Sequence, residues 1–149
     1  MKVRTILCFV FASFFTVSAA GNNAKTLKRD KIEIGIGGGS DLAVYVGHNG
    51  LMDFKLEPPK QKKPGEGKNT IVLACKSKPY FKPYFDKLGS RSVLLTTGFM
   101  APEAYSLEAA VAGWLAGEDG ERIRNHSAAA YNKYQKCGMR GARRLFFAE

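Results

Sequence analysis

Cysteine and histidine are scarce in this chain of 149 residues, with three of the first and two of the second. A disulfide-dependent scaffold usually carries more cysteines, and any imidazole chemistry falls to His48 or His126. Long apolar runs are missing too. The stretch from Ile6 to Val17 is too short to span a bilayer, and no later segment is long enough, so no membrane span is expected. A dinucleotide fingerprint is also lacking: the G-x-G-x-x-G spacing from Gly35 meets Ser40, and a strand follows where a helix is required. Gly37-Gly38-Gly39-Ser40 reads instead as a flexible turn. The net charge of +10 attracts acidic partners in general. No nucleic-acid-binding motif accompanies it, and much of it lies in one linker and the C-terminal helix, so nucleic acid is not an expected partner.

Lys2 and Arg4 precede the apolar stretch, and the small residues Ser18-Ala19-Ala20 follow it. This is the pattern of a secretory signal peptide over residues 1–20. Export to a periplasmic or extracellular space follows, with residues 21–149 as a single domain. Loss of Lys2 and Arg4 lowers the net charge from +10 to +8. Cys75 and Cys137 remain after cleavage. An even count in an exported chain allows one disulfide, while a cysteine that ends a buried strand fits a free thiol equally well. Both readings stay open.

Gly21 to Arg29 is polar and reads as loose, and Lys31 to Ile36 alternates as a strand with one solvated face does. Two later segments, Leu42-Ala-Val-Tyr-Val-Gly-His48 and Ile71-Val-Leu-Ala-Cys75, are short apolar runs, each ending on a residue able to do chemistry. Runs without alternation read as strands buried on both faces, the habit of a parallel sheet covered by helices. Working side chains cluster at the carboxyl ends of such strands. With neighbouring strands about 4.8 Å apart, pairing of these two brings His48 and Cys75 to one edge.

Leu51 to Leu56 reads as a short strand or one helical turn, and Glu57 to Lys68 as an exposed connector rich in proline, glycine and lysine. The aromatic residues Phe81, Tyr84 and Phe85, with Leu88, share one helical face over residues 79–88 and read as core. Val93 to Thr97 is a third buried strand, parallel to the others through a right-handed crossover. Ser106 is the expected N-cap of a helix over 106–116 that packs Leu107, Ala110, Val111, Trp114 and Leu115 on the sheet. A last helix, 120–137, is capped by Asp119 and Gly138; Ile123, Ser127, Ala130, Tyr131 and Tyr134 share one face, and His126 lies at the surface. Arg140 to Arg144 is a basic tail, and Leu145 to Phe147 folds back as a short strand. Glu103 reads as a carboxylate at a helix start, and no specificity pocket is readable.

Val44-Tyr-Val-Gly-His48 resembles the apolar strand that ends in the histidine of caspase-like cysteine peptidases. Val72-Leu-Ala-Cys75 with Ser77 resembles the strand that ends in their nucleophile. The order is similar as well: histidine, then cysteine on the next core strand, then a helix and a further strand. The resemblance covers about residues 41–116. It implies an α/β fold, a mainly parallel sheet flanked by helices in a three-layer sandwich, shortened by its first strands. It also implies Cys75 as nucleophile, His48 as acid/base, oxyanion or loop support from Asn49 and Gly50, a protein or peptide substrate, and no metal or organic cofactor. The thiolate is the reactive species, and His48, Lys76 and Lys78 stand where they favour the anion. Two other readings remain beside a secreted hydrolase. One is a non-catalytic relative that binds a partner protein, and the other is a small basic module stapled by Cys75 and Cys137.

Overall fold

A computed structural model describes residues 6–10, 25–29, 32–36, 40–57, 60, 63 and 67–149, the first three spans by backbone alone. The elements are β1 (Ile6–Val10), β2 (Lys25–Arg29), β3 (Ile32–Ile36), β4 (Leu42–Val46), β5 (Asn69–Leu73), α1 (Ser77–Lys87), β6 (Arg91–Thr96), α2 (Ala104–Leu115), α3 (Gly120–Gln135), α4 (Met139–Leu145) and β7 (Phe146–Phe147). The three apolar runs form β4, β5 and β6, side by side and parallel, and β7 adds an antiparallel edge on β6. The result is an α/β fold whose mostly parallel open sheet, in the order β1-β4-β5-β6-β7, is flanked by helices. On the outer side of β4, β1 aligns parallel with Ile6 opposite Leu42. It lies within the segment read as a signal peptide; the expected cleavage point after Ala20 is outside the described residues.

Alternation along each strand divides the core between the two faces of the sheet. Leu42, Val44, Ile71, Leu73 and Val93 meet Ala110 and Trp114 of α2, Ile123 and Tyr131 of α3, and Ala142 of α4. Val72, Ala74 and Leu95 meet Tyr45, Phe81, Phe85 and Phe147 on the α1 side. Trp114 is buried on the sheet, with Leu107 and Val111 packed partly buried against the same cluster, as expected. The aromatic face of α1 is likewise a packing face, with Phe81 5.9 Å from Phe85 and 6.1 Å from Tyr45 between ring centres.

Several local expectations are corrected. Lys25–Arg29 is not loose but pairs antiparallel with Ile32–Ile36. The backbone groups of the alternating strand need partners, and the polar segment before it supplies them. Of the two forms open to residues 51–56, a short strand or one helical turn, the chain takes the second, a 3-10 turn over Gly50–Met52. The second helix begins two residues before Ser106, with Glu103 extended at its N-cap position and Ser106 buried inside. Leu115 and Tyr134 are exposed. Tyr134 stacks instead on Tyr105, 4.3 Å between ring centres, and Ala128 takes the buried place expected of Ala130. The third helix is capped as expected by Asp119, whose Oδ1 accepts from the Arg122 amide at 2.8 Å. It ends at Gln135 because Lys136 turns left-handed. The basic tail is helical over residues 139–145, a helix not expected from the sequence, and Leu145 belongs to it, so the final strand is Phe146–Phe147.

Candidate active site

The register that pairs Val46 with Leu73 places His48 and Cys75 two residues beyond neighbouring strand ends. The ladder runs on past β4, with the Gly47 amide donating to the Leu73 carbonyl at 3.1 Å. Asn49 then closes the edge. It is fully buried, its Nδ2 donates to the Cys75 carbonyl at 2.7 Å, and its Oδ1 accepts from the Leu51 amide at 3.1 Å. A buried carboxamide with both ends satisfied joins the two loops firmly.

Of the two residues named as oxyanion or loop support, Asn49 uses its side chain for the loop junction. The Gly50 amide donates to the His48 carbonyl at 3.1 Å. Tyr45 Oη donates to the same carbonyl, so the backbone after β4 is held from both sides.

The His48 ring stands largely in solvent and pairs with Asp53, Nε2 to Oδ2 at 2.7 Å. An ionised carboxylate only accepts, so Nε2 carries the proton in that bond, and in the neutral form of the ring the lone pair is at Nδ1. Cys75 is a free thiol, partly buried, whose Sγ lies 3.7 Å from the Met100 carbonyl. Among the described residues no hydrogen bond joins the two side chains. Cys137 is also free, exposed past the end of α3, so the Cys75–Cys137 bridge is not formed.

A sharp turn carries the chain from Cys75 into α1. Lys76 adopts φ 51°, its amide donates to Gly98 at 2.8 Å, and the Ser77 amide bonds back to the Ala74 carbonyl at 3.3 Å. A lysine at positive φ is costly unless its surroundings over-determine it. Lys136, the other such residue among those described, sits where a helix ends, the ordinary place for this conformation; Lys76 sits at a helix start. Its support is a buried pair: Ser77 Oγ donates to Val72 at 2.8 Å and lies 3.0 Å from Thr96 Oγ1, which bonds to Ala74. Lys76 and Lys78, expected to favour the thiolate, place their ammonium groups over the rings of Phe99 at 4.5 Å and Phe147 at 4.0 Å.

His126 keeps to the surface, 3.0 Å from Glu118. Asp53, Thr96 and the left-handed Lys76 were not singled out from sequence. The H-x-x-x-x-D spacing is a signal that could have found Asp53 once residues 50–52 are read as a turn. Comparison with protein-family models, curated proteins and solved structures gave no match.

Proposed function

We propose that the chain is an exported cysteine hydrolase of caspase-like type that cleaves protein or peptide substrates without a metal or organic cofactor. The observation that carries this reading is the Asn49 bridge, which ties the loop after His48 to the strand end of Cys75 at 2.7 Å. In the proposed reaction His48 Nδ1 takes the thiol proton and the Cys75 sulfur adds to the scissile carbonyl. The Cys75 amide at the strand-to-helix turn donates to the oxyanion. Return of the proton to the leaving amine breaks the C–N bond, and water then hydrolyses the thioester. Asp53 and Asn49 are positioning residues, one for the ring and one for the loop. Catalytic hydrogen bonds are often loose before substrate binds, which accommodates a thiol resting on Met100.

A non-catalytic relative is the second reading, favoured by the exposed ring of His48 and its pairing with Asp53. The two separate with a peptidyl acyloxymethyl ketone and a mixed peptide pool. The hydrolase reading expects covalent capture at Cys75 and cleavage that Cys75→Ala abolishes. Absence of both in correctly folded protein leaves the binding role. The mature N-terminus of exported protein, expected at Gly21, tests the leader; an intact Met1 on exported protein overturns it.

A further inference from the structure

The chain leaves the two candidate residues by separate paths that meet again. Beyond His48 it makes the 3-10 turn and runs through Asp53 to Leu56, and beyond Cys75 it enters α1. Between these paths lies an open groove of about 330 Å³ walled by Leu51, Phe54, Pro79, Tyr80, Pro83 and Tyr84. Its inner end is tied to the site, because the Leu51 amide bonds to Asn49, which holds Cys75. Its outer end is fixed where Tyr84 Oη donates to the Leu56 carbonyl at 3.0 Å. The walls are prolines and rings with few rotatable bonds, so a bound segment orders little that is not already ordered. Phe54 is 56% exposed, a large apolar face open to solvent at the mouth of a cleft.

Lys55 and Lys87 also line this groove. Both are exposed, and among the described residues no carboxylate pairs with either. Of the acidic residues nearest them in sequence, Asp53 pairs with His48 and Asp86 with Lys82, while Glu57, two residues from Lys55, is exposed and does not line the groove. An apolar slot bearing two cations selects by sign as well as by size.

We propose that this groove is the recognition site of the hydrolase, taking an apolar or aromatic side chain of a peptide that carries an acidic residue beside it. The inference rests on the hydrolase reading for its position beside Cys75. The slot buries the apolar side chain, and Lys55 and Lys87 receive the neighbouring carboxylate. A basic residue at that place is repelled.

Two fluorescein-labelled peptides that differ only in Asp or Lys beside a phenylalanine test it on the full chain. Cleavage is followed in the wild type and binding by anisotropy in Cys75→Ala. The acidic peptide should be preferred about tenfold, the sum of two exposed charge contacts. The Lys55→Glu/Lys87→Glu variant should reverse the preference, and Tyr84→Ala should weaken both peptides. Cleavage whose preference ignores the reversal overturns the groove and leaves the hydrolase. Binding that follows the reversal, without cleavage, keeps the groove and removes the hydrolase. A reversal that alters oligomeric state alone assigns the groove to a second copy, and no binding or cleavage of either peptide removes the groove reading outright.

Discussion

Asn49 and Cys75 are joined by a 2.7 Å hydrogen bond from a fully buried carboxamide to a backbone carbonyl. Because Asn49 directly follows His48, one bond couples the positions of both candidate residues. Replacing Asn49 by Ala leaves the Cys75 carbonyl and the Leu51 amide without their partner. The expected loss is about 1–3 kcal/mol, read by urea denaturation, with peptide cleavage falling more than stability alone explains. An unchanged midpoint would mean that the bridge holds nothing in place.

Thr96 reaches the same turn from the neighbouring strand. Its hydroxyl bonds to the Ala74 carbonyl and accepts from the Ser77 amide at 3.1 Å, flanking Cys75 on both sides in sequence. Thr96→Val keeps the shape and removes these bonds, which should cost about 1–3 kcal/mol. Ser77→Ala should cost a similar amount, and the double variant less than the sum, because the two residues belong to one network. Additive losses would contradict the network.

Neighbouring residues Trp114 and Leu115 give a contrast within one helix. Trp114 is packed on the sheet while Leu115 is 51% exposed. Trp114→Ala should destabilise by about 3–5 kcal/mol and Leu115→Ala by no more than about 0.5 kcal/mol. Equal effects would mean that this helix does not present the face described.

Lys82 provides a pH signature away from the site. Burial works to lower its pKa, and hydrogen bonds and charges from Asp86 and Glu149 outweigh it, leaving the value above the ordinary 10.5. A raised folded value stabilises in full below the unfolded pKa and loses that contribution as pH rises through the folded one. The stability gap between wild type and Lys82→Gln should therefore hold from about pH 6 to about pH 9 and close at higher pH. A gap that opens on alkalinisation would have the wrong sign.

The sheet was legible where one local signal sufficed. Val44, Ile71 and Val93 sit in runs without alternation, and burial on both faces is what such runs require. The Asp119 cap was legible for the same reason, since its partner is three residues away. Asn49, Thr96 and Asp53 acquire their roles only when the chain brings another segment beside them. Nothing local distinguishes Asn49 from an ordinary turn asparagine, although its carbonyl partner lies 26 residues downstream. The polar strand Lys25–Arg29 gave no pattern because its pairing is by backbone. The fourth helix was hidden by its glycine and by arginines that suit any exposed segment. Ser106 misled because capping propensity is local, whereas the fold places the residue inside the first turn of the helix, its Oγ buried without a hydrogen-bond partner among the described residues.

Asp53 should matter modestly. The His48–Asp53 pair is 72% and 66% exposed, and a pair so hydrated contributes no more than about fivefold in rate. Asp53→Ala should lower cleavage by that much, since the ring loses the partner that sets its tautomer. An unchanged cleavage rate would show that the pair plays no part.

The account turns on whether His48 acts on Cys75, and the alkylation rate of Cys75 near neutral pH, resolved by residue with mass spectrometry, tests this most directly. Cys137 is exposed on the same molecule and serves as the internal reference. With His48→Ala the account predicts slower alkylation of Cys75, because the group that takes its proton is gone, and an unchanged rate at Cys137. Equal rates at Cys75 in the two proteins would contradict it.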